Sequence, residues 1–116
     1  MSGADELAVR EAADGVRVIE IEGEVTSERE ALAEAYERAA AKGVRTVALD
    51  FSDLEYMNSG GIGLLVTLLV RAQRQKVTLV AFGLTDHYRQ IFELTRLDEA
   101  IDVHDSESAL LAGSGS

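Results

Sequence analysis

Leu49-Asp50-Phe51-Ser52-Asp53-Leu54-Glu55-Tyr56-Met57-Asn58-Ser59-Gly60-Gly61-Ile62-Gly63 is the stretch on which the fold turns. Around its start, Val47, Leu49 and Phe51 alternate with Thr46, Ala48 and Asp50, so Val44 to Phe51 has the period of a strand. Toward its end, glycines feed a helix that Asn58 or Ser59 can cap and that runs to about Gln75. A strand passing through a short loop into a helix is half of a crossover unit. The flanking sequence repeats that pattern.

Upstream, Leu7 to Ala13 and Val16 to Gly23 flank Asp14-Gly15, a dipeptide that supplies the positive φ of a tight hairpin, so these strands pair antiparallel. Ser27-x-x-Glu30 reads as a capping box. The helix it opens runs to about Lys42, with Leu32, Ala35, Tyr36 and Ala39 on one side and Gly43 as its C-cap. Downstream, Val77 to Phe82 is a buried strand, Asp86 caps a helix carrying Tyr88, Ile91 and Phe92, and Ile101-Asp102-Val103 is a short strand. Asp105 opens a last helix through Leu111.

The order ββαβαβαβα predicts an α/β single domain. Its five-strand sheet is mostly parallel after the N-terminal antiparallel hairpin, and about four helices pack on it. Glu20 and Glu22 fall on one side of the second strand, so that face stays partly wet. The domain is expected over residues 5–112, with Gly113-Ser114-Gly115-Ser116 as a flexible tail.

Composition narrows the function. A chain of 116 residues with 47% hydrophobic and 28% charged residues suits one core. The absence of cysteine removes disulfides, thiolate nucleophiles and sulfur-ligated metals. A net charge of −10 repels phosphate backbones and anionic lipid, which argues against nucleic acid and direct membrane binding. Met1 to Gly15 lacks the basic-then-apolar run of a signal peptide, and Ile62 to Val70 is too short to span a bilayer, so a cytoplasmic protein is expected.

The turn Asn58-Ser59-Gly60-Gly61 allows close backbone approach, and the free N–H groups of the helix it opens attract anions. The same glycines also fit a plain tight turn with a cap. No Gly-Lys-Ser/Thr ending makes this a P-loop, and Gly61-x-Gly63-x-x-Val66 lacks the last small residue of a dinucleotide fingerprint, so no cofactor is implied. The following helix is apolar nearly all round. Ile62, Leu65, Val66 and Leu69 form one stripe, and Leu64, Leu68 and Val70 extend it. Leu64, Thr67, Leu68 and Arg71 form the side expected to meet a partner, with Leu64 and Leu68 as anchors.

No catalytic or metal-binding set is read from the chain. His87 and His104 are expected at the surface, without spacing for metal ligation. Asp50 and Asp53 bracket a strand end, as in a receiver domain, but a receiver needs a lysine after its last strand, where this chain has Val103-His104-Asp105. Asp50 is therefore expected to be solvated or to accept a bond within a local turn.

The stretch Leu49 to Gly63 resembles the signature of STAS domains, the bacterial anti-sigma factor antagonists. In these a strand ending in Asp leads to a Met/Ile-Asp-Ser-Ser/Thr-Gly-Ile/Leu-Gly turn that opens a helix. Ile21-Glu22-Gly23-Glu24-Val25-Thr26 resembles an earlier segment of the same family, and the resemblance spans about Leu7 to Leu111. It implies a partner switch. The domain binds an anti-sigma factor that is also a serine kinase of the histidine-kinase-like ATPase type, and this frees a sigma factor. Phosphorylation of the hydroxyl residue before the glycine ends the binding. The resemblance adds Glu24 and Thr26 to the partner-binding residues, with Thr26 in place of an Asp common in the family.

This chain departs from the signature where the phosphate should go. Asn58 stands for the usual Asp, Ser59 matches the first hydroxyl residue, and Gly60 occupies the acceptor position. Ser59 is then the phosphorylation candidate. Transfer to it is expected to be slow or absent, because in-line attack depends on the direction of the hydroxyl. Ser59 is expected instead to cap the helix, and Gly60→Ser to create a better acceptor. The alternative reading is a STAS-like scaffold or ligand-sensing module of a stress-signalling or transporter complex.

Overall fold

The computed structural model describes residues 6–114, with side chains through residue 112; of residues 113–116, expected as a tail, 115 and 116 lie outside them. Two strands come first, β1 (Ala8–Ala13) and β2 (Val16–Val25), and then α1 (Glu30–Ala39). The chain continues through β3 (Thr46–Met57), α2 (Ser59–Gln75), β4 (Thr78–Phe82) and α3 (Asp86–Leu94). A 3-10 turn at Leu97–Glu99 leads to β5 (Asp102–His104) and α4 (Glu107–Ser114). The backbone of α4 thus reaches two residues into the expected tail.

The sheet has the order β1-β2-β3-β4-β5, antiparallel between β1 and β2 and parallel elsewhere, as the alternation of elements predicts. Gly15 takes φ +77° at the tip of the first hairpin, which is the reason for a glycine there. The period-2 pattern of β3 sends Val47, Leu49 and Phe51 into the main core with α1, α2 and α3. Ala48 joins Val18, Val80, Phe82 and Leu110 on the opposite face, under α4. Phe51 and Phe92 meet edge to face at 6.0 Å in the main core.

The α4 face is only partly covered, as Glu20 and Glu22 foretell. Along its rim Arg10 donates from Nε to Glu20 at 2.7 Å and from Nη2 to Glu107 at 2.7 Å. The guanidinium holds the Glu107 carboxyl below its ordinary range.

Several helix ends differ from the sequence reading. The Ser27–Glu30 capping box does not form: α1 begins at Glu30, Arg29 precedes it, and Arg29 makes no side-chain cap. Residues 26–29 form a separate turn, in which Thr26 Oγ1 accepts from the Glu28 N–H and the Thr26 carbonyl from the Arg29 N–H. Arg29 Nη1 also donates to the carbonyls of Glu22 and Glu24, so the turn is tied back to the end of β2 and the helix starts late. At its other end α1 stops at Ala39 rather than Lys42, and Gly43 (φ +91°) serves the turn into β3. Thr85, not Asp86, caps α3, its Oγ1 accepting from the Tyr88 N–H. Ser106 Oγ receives the Ala109 N–H at the start of α4, while the Asp105 carboxylate is drawn to Arg89.

Candidate functional site

Beyond Asp50 the sheet narrows. β4 pairs with β3 only over Thr46 to Asp50, whereas β2 and β3 stay paired to Val25 and Met57. These ends form a two-strand arm, and β3 therefore runs well past the expected Phe51. The register shifts twice along it, between Glu20 and Glu22 and between Gly23 and Glu24, which lets the longer strand bend over the shorter. Asp50 Oδ1 accepts from the Ser52 N–H at 2.9 Å at the first irregularity, the local turn role expected of it. At the tip of the arm the Met57 N–H has no β4 strand to donate to. The hydroxyl of buried Tyr88 on α3 accepts it at 2.9 Å. Sequence reasoning placed Tyr88 only on an apolar face; the signal it offered was one hydroxyl among hydrocarbons.

Asn58 follows in extended backbone, φ −98° and ψ −176°. Its Oδ1 accepts from the Gly61 N–H at 2.9 Å, the bond of an N-cap to the third helical residue. Its own N–H donates to the Val25 carbonyl, tying the helix start to β2. Of the two expected caps, Asn58 is the one used. Ser59 is the first helical residue and its side chain is exposed, which corrects its expected capping role.

The glycines after it have different neighbours. A Cβ on Gly61 would stand 2.4 Å from the Val25 carbonyl oxygen and 2.7 Å from Met57 Cγ, so only glycine fits there. That contact fixes the rotation of α2. Leu65, Leu68 and Ala72 follow Gly61 inward, while Val66 and Val70 stay 42% and 40% exposed. Two sequence expectations fail here. Val66 lies outside the core stripe, and Leu68, at 0% exposure, is a core residue and not a surface anchor. Leu64 is half-buried against the same core.

Thr67 is exposed and donates its hydroxyl to the Gly63 carbonyl. Arg71 is engaged within the chain. Its guanidinium lies 5.2 Å from the centre of the Tyr36 ring and 3.4 Å from Glu37 on α1. Tyr36 in turn donates to Gln75 Oε1 at 2.7 Å, and burial pushes its phenol up from the ordinary range.

On the outer side, Ser59, Gly63, Val66, Val70 and Gln73 are all exposed. At spacings of four, three, four and three residues they form one stripe down the helix. On the β2–β3 arm and the turn that follows β2 a groove is lined by Glu22, Glu24, Thr26, Arg29, Asp53 and Glu55, four of them carboxylates. Of the sequence-predicted residues, Asn58, Ser59, Gly60, Gly61, Glu24 and Thr26 come together at this end of the molecule, where Val25 and Met57 pair. His87 is exposed, edge-on to Tyr88, and half-buried His104 belongs to a separate groove with Arg89, Glu93 and Asp102. Among the described residues no helix is long and apolar enough to cross a membrane.

A five-strand sheet with one antiparallel edge, and a helix launched from a glycine-lined turn at the end of its β2–β3 arm, define a recognisable class. The family described as Mlab, STAS domain, matches residues 8–111, and the chain belongs to it. Among individual proteins, it is 31% identical over 62 residues to the anti-sigma-B factor antagonist of Listeria monocytogenes. That alignment covers 53% of this chain and 54% of the relative, about half its length. An anti-sigma factor antagonist from Mycobacterium paratuberculosis superposes with a TM-score of 0.72 at 23% identity, over 97% of both chains. The Bacillus cell fate determinant SpoIIAA in its phosphorylated form gives 0.59 at 20% identity, over 90% of this chain and 96% of that one.

Proposed function

We propose that this chain is an anti-sigma factor antagonist of the cytoplasm. It binds an anti-sigma factor that is a serine kinase of the histidine-kinase-like ATPase type, releases the sigma factor that kinase holds, and performs no catalysis itself. The Listeria relative supports the partner class, and the phosphorylated state of SpoIIAA supports control by a kinase. The observation that carries the reading is the stripe from Ser59 to Val70. It leaves two valines in water on a helix whose opposite side is fully packed.

The contact surface is then the turn Asn58 to Gly61, the outward face of α2 with Gly63, Val66, Thr67 and Val70, and Glu24 and Thr26 on the neighbouring groove. Leu64 lies at its margin. Leu68 is left out because it is buried, and Arg71 because α1 holds it. The acidic groove suits a cationic region of the partner.

Val66→Asp tests this. The variant should keep its fold by circular dichroism and lose about tenfold or more in affinity for the kinase by calorimetry, a difference of about 1.4 kcal/mol or more. Unchanged affinity overturns the α2 surface. A chain that co-purifies with a transporter component and binds no anti-sigma kinase overturns the function.

A further inference from the structure

Beyond Asp50, no strand among the described residues pairs with β3 on the side that β4 leaves. What stands there is the start of α3. Gly83, at φ +80°, lies so close to the arm that a Cβ on it would be 2.9 Å from the Ser52 backbone nitrogen. Thr85 Oγ1 accepts from the Tyr88 N–H and fixes the first turn of α3, and the Tyr88 hydroxyl reaches the Met57 N–H at 2.9 Å. The start of α3 thus props the arm at its base and at its tip.

Met57 is the residue to which the turn is fitted. Successive N–H groups of a strand point to opposite sides. The Asn58 N–H goes to the Val25 carbonyl on the β2 side, whereas the Met57 N–H points to the α3 side and finds Tyr88. Both residues are buried, Met57 at 4% and Tyr88 at 8% exposure, so bulk water does not stand ready to replace the acceptor. Met57 Cγ also helps to exclude a side chain from Gly61, and that exclusion sets the rotation of α2. A displacement of Met57 is therefore passed to the turn Asn58 to Gly61 and to the outward position of Val66 and Val70.

Resting on the function proposed above, we infer that Tyr88 is a positioning residue for the partner contact, acting through Met57 and not by touching the partner. Its hydroxyl stands in for the strand that β4 does not supply and holds the tip of the arm against the start of α2. That keeps the turn, and the stripe from Ser59 to Val70, in the orientation that the anti-sigma kinase meets. A phenylalanine at residue 88 keeps the ring, including its edge contact with His87 at 4.9 Å, and removes only the acceptor. The Met57 N–H is then buried without a partner, which favours states in which the tip has swung out to water.

The experiment compares Tyr88→Phe with Leu110→Ala, a variant that opens the core on the opposite face of the sheet, under α4. Amide hydrogen exchange is followed by NMR on the full chain without a partner. In Tyr88→Phe, exchange at Met57, Asn58 and Gly61 should quicken about tenfold or more relative to Leu49 in the body of β3. The methyl signals of Val66 and Val70 should shift with them. In Leu110→Ala the three amides should change no more than Leu49 does. Calorimetry is then run against each anti-sigma serine kinase of the source organism. Tyr88→Phe should lower affinity about fivefold or more, while Leu110→Ala binds as the natural chain does, although both variants melt below it. Exchange at the three amides that keeps step with Leu49 overturns the inference. Faster exchange with unchanged affinity overturns it too, because the hydroxyl is then a stabilising contact without bearing on the partner, and the proposed function stands. Failure of every kinase to bind the natural chain removes that function and the positioning role with it.

Discussion

Gly61 and Gly63 lie two residues apart near the start of one helix, and their surroundings are opposite. Gly61 faces inward, where the Val25 carbonyl and Met57 leave no room for a Cβ. Gly63 faces outward, and a Cβ there would find nothing within 4 Å. Nothing inside the molecule explains the second glycine, although glycine in a helix interior costs roughly 0.5–1 kcal/mol relative to alanine. The inward face of α2 is shaped by its own sheet; the outward face at Gly63 meets nothing within the chain. An internal contact and an external surface thus share a helix turn, and side-chain identity alone does not separate them.

The largest test of that division is lower on the helix. Leu68→Ala should lower stability by about 2–5 kcal/mol in urea unfolding, since it empties a fully buried site. Val66→Ala should change stability by no more than about 0.5 kcal/mol. Equal effects would break the assignment of the two faces. Next, Gly61→Ala should cost about 1–3 kcal/mol, because the methyl group meets backbone that must shift. The same melting experiment checks it, and a neutral result would mean that the junction with β2 is looser than these contacts imply.

Asn58→Ala should cost about 1 kcal/mol through loss of the bond to the Gly61 N–H. Ser59→Ala should leave stability within about 0.5 kcal/mol, since its hydroxyl does not cap the helix. The smallest effect sharpens the comparison most, because its two readouts move in opposite directions. Gly63→Ala should raise stability by about 0.5–1 kcal/mol while weakening affinity for the anti-sigma kinase. A gain in stability with unchanged binding would show that the bare backbone at Gly63 is not part of the contact.

Where strand period and a turn dipeptide decide the local structure, the sequence was sufficient; the exact helix caps, Thr85 in place of Asp86 among them, were not legible. The alternation of Val47, Leu49 and Phe51 gave a strand and Asp14-Gly15 a hairpin, because each depends on local backbone geometry, whereas the choice of Asn58 over Ser59 as the cap came from the structure. The repeated strand–helix order then left essentially one handed, parallel arrangement. The STAS signature lies in one continuous segment, so it too was legible. The rotation of α2 was not. Ile62, Leu65, Val66 and Leu69 make as good a helical stripe as the inward set Gly61, Leu65, Leu68 and Ala72. Only the close approach of Gly61 to Val25 and Met57 chooses between them. The failed capping box has a similar cause: Arg29 binds the end of β2, the turn at residues 26–29 closes separately, and Ser27 comes to rest against Gly60. Propensity and spacing act within a segment, whereas these outcomes were decided between segments far apart in the chain, where steric exclusion and hydrogen bonds exist only once the sheet has brought them together.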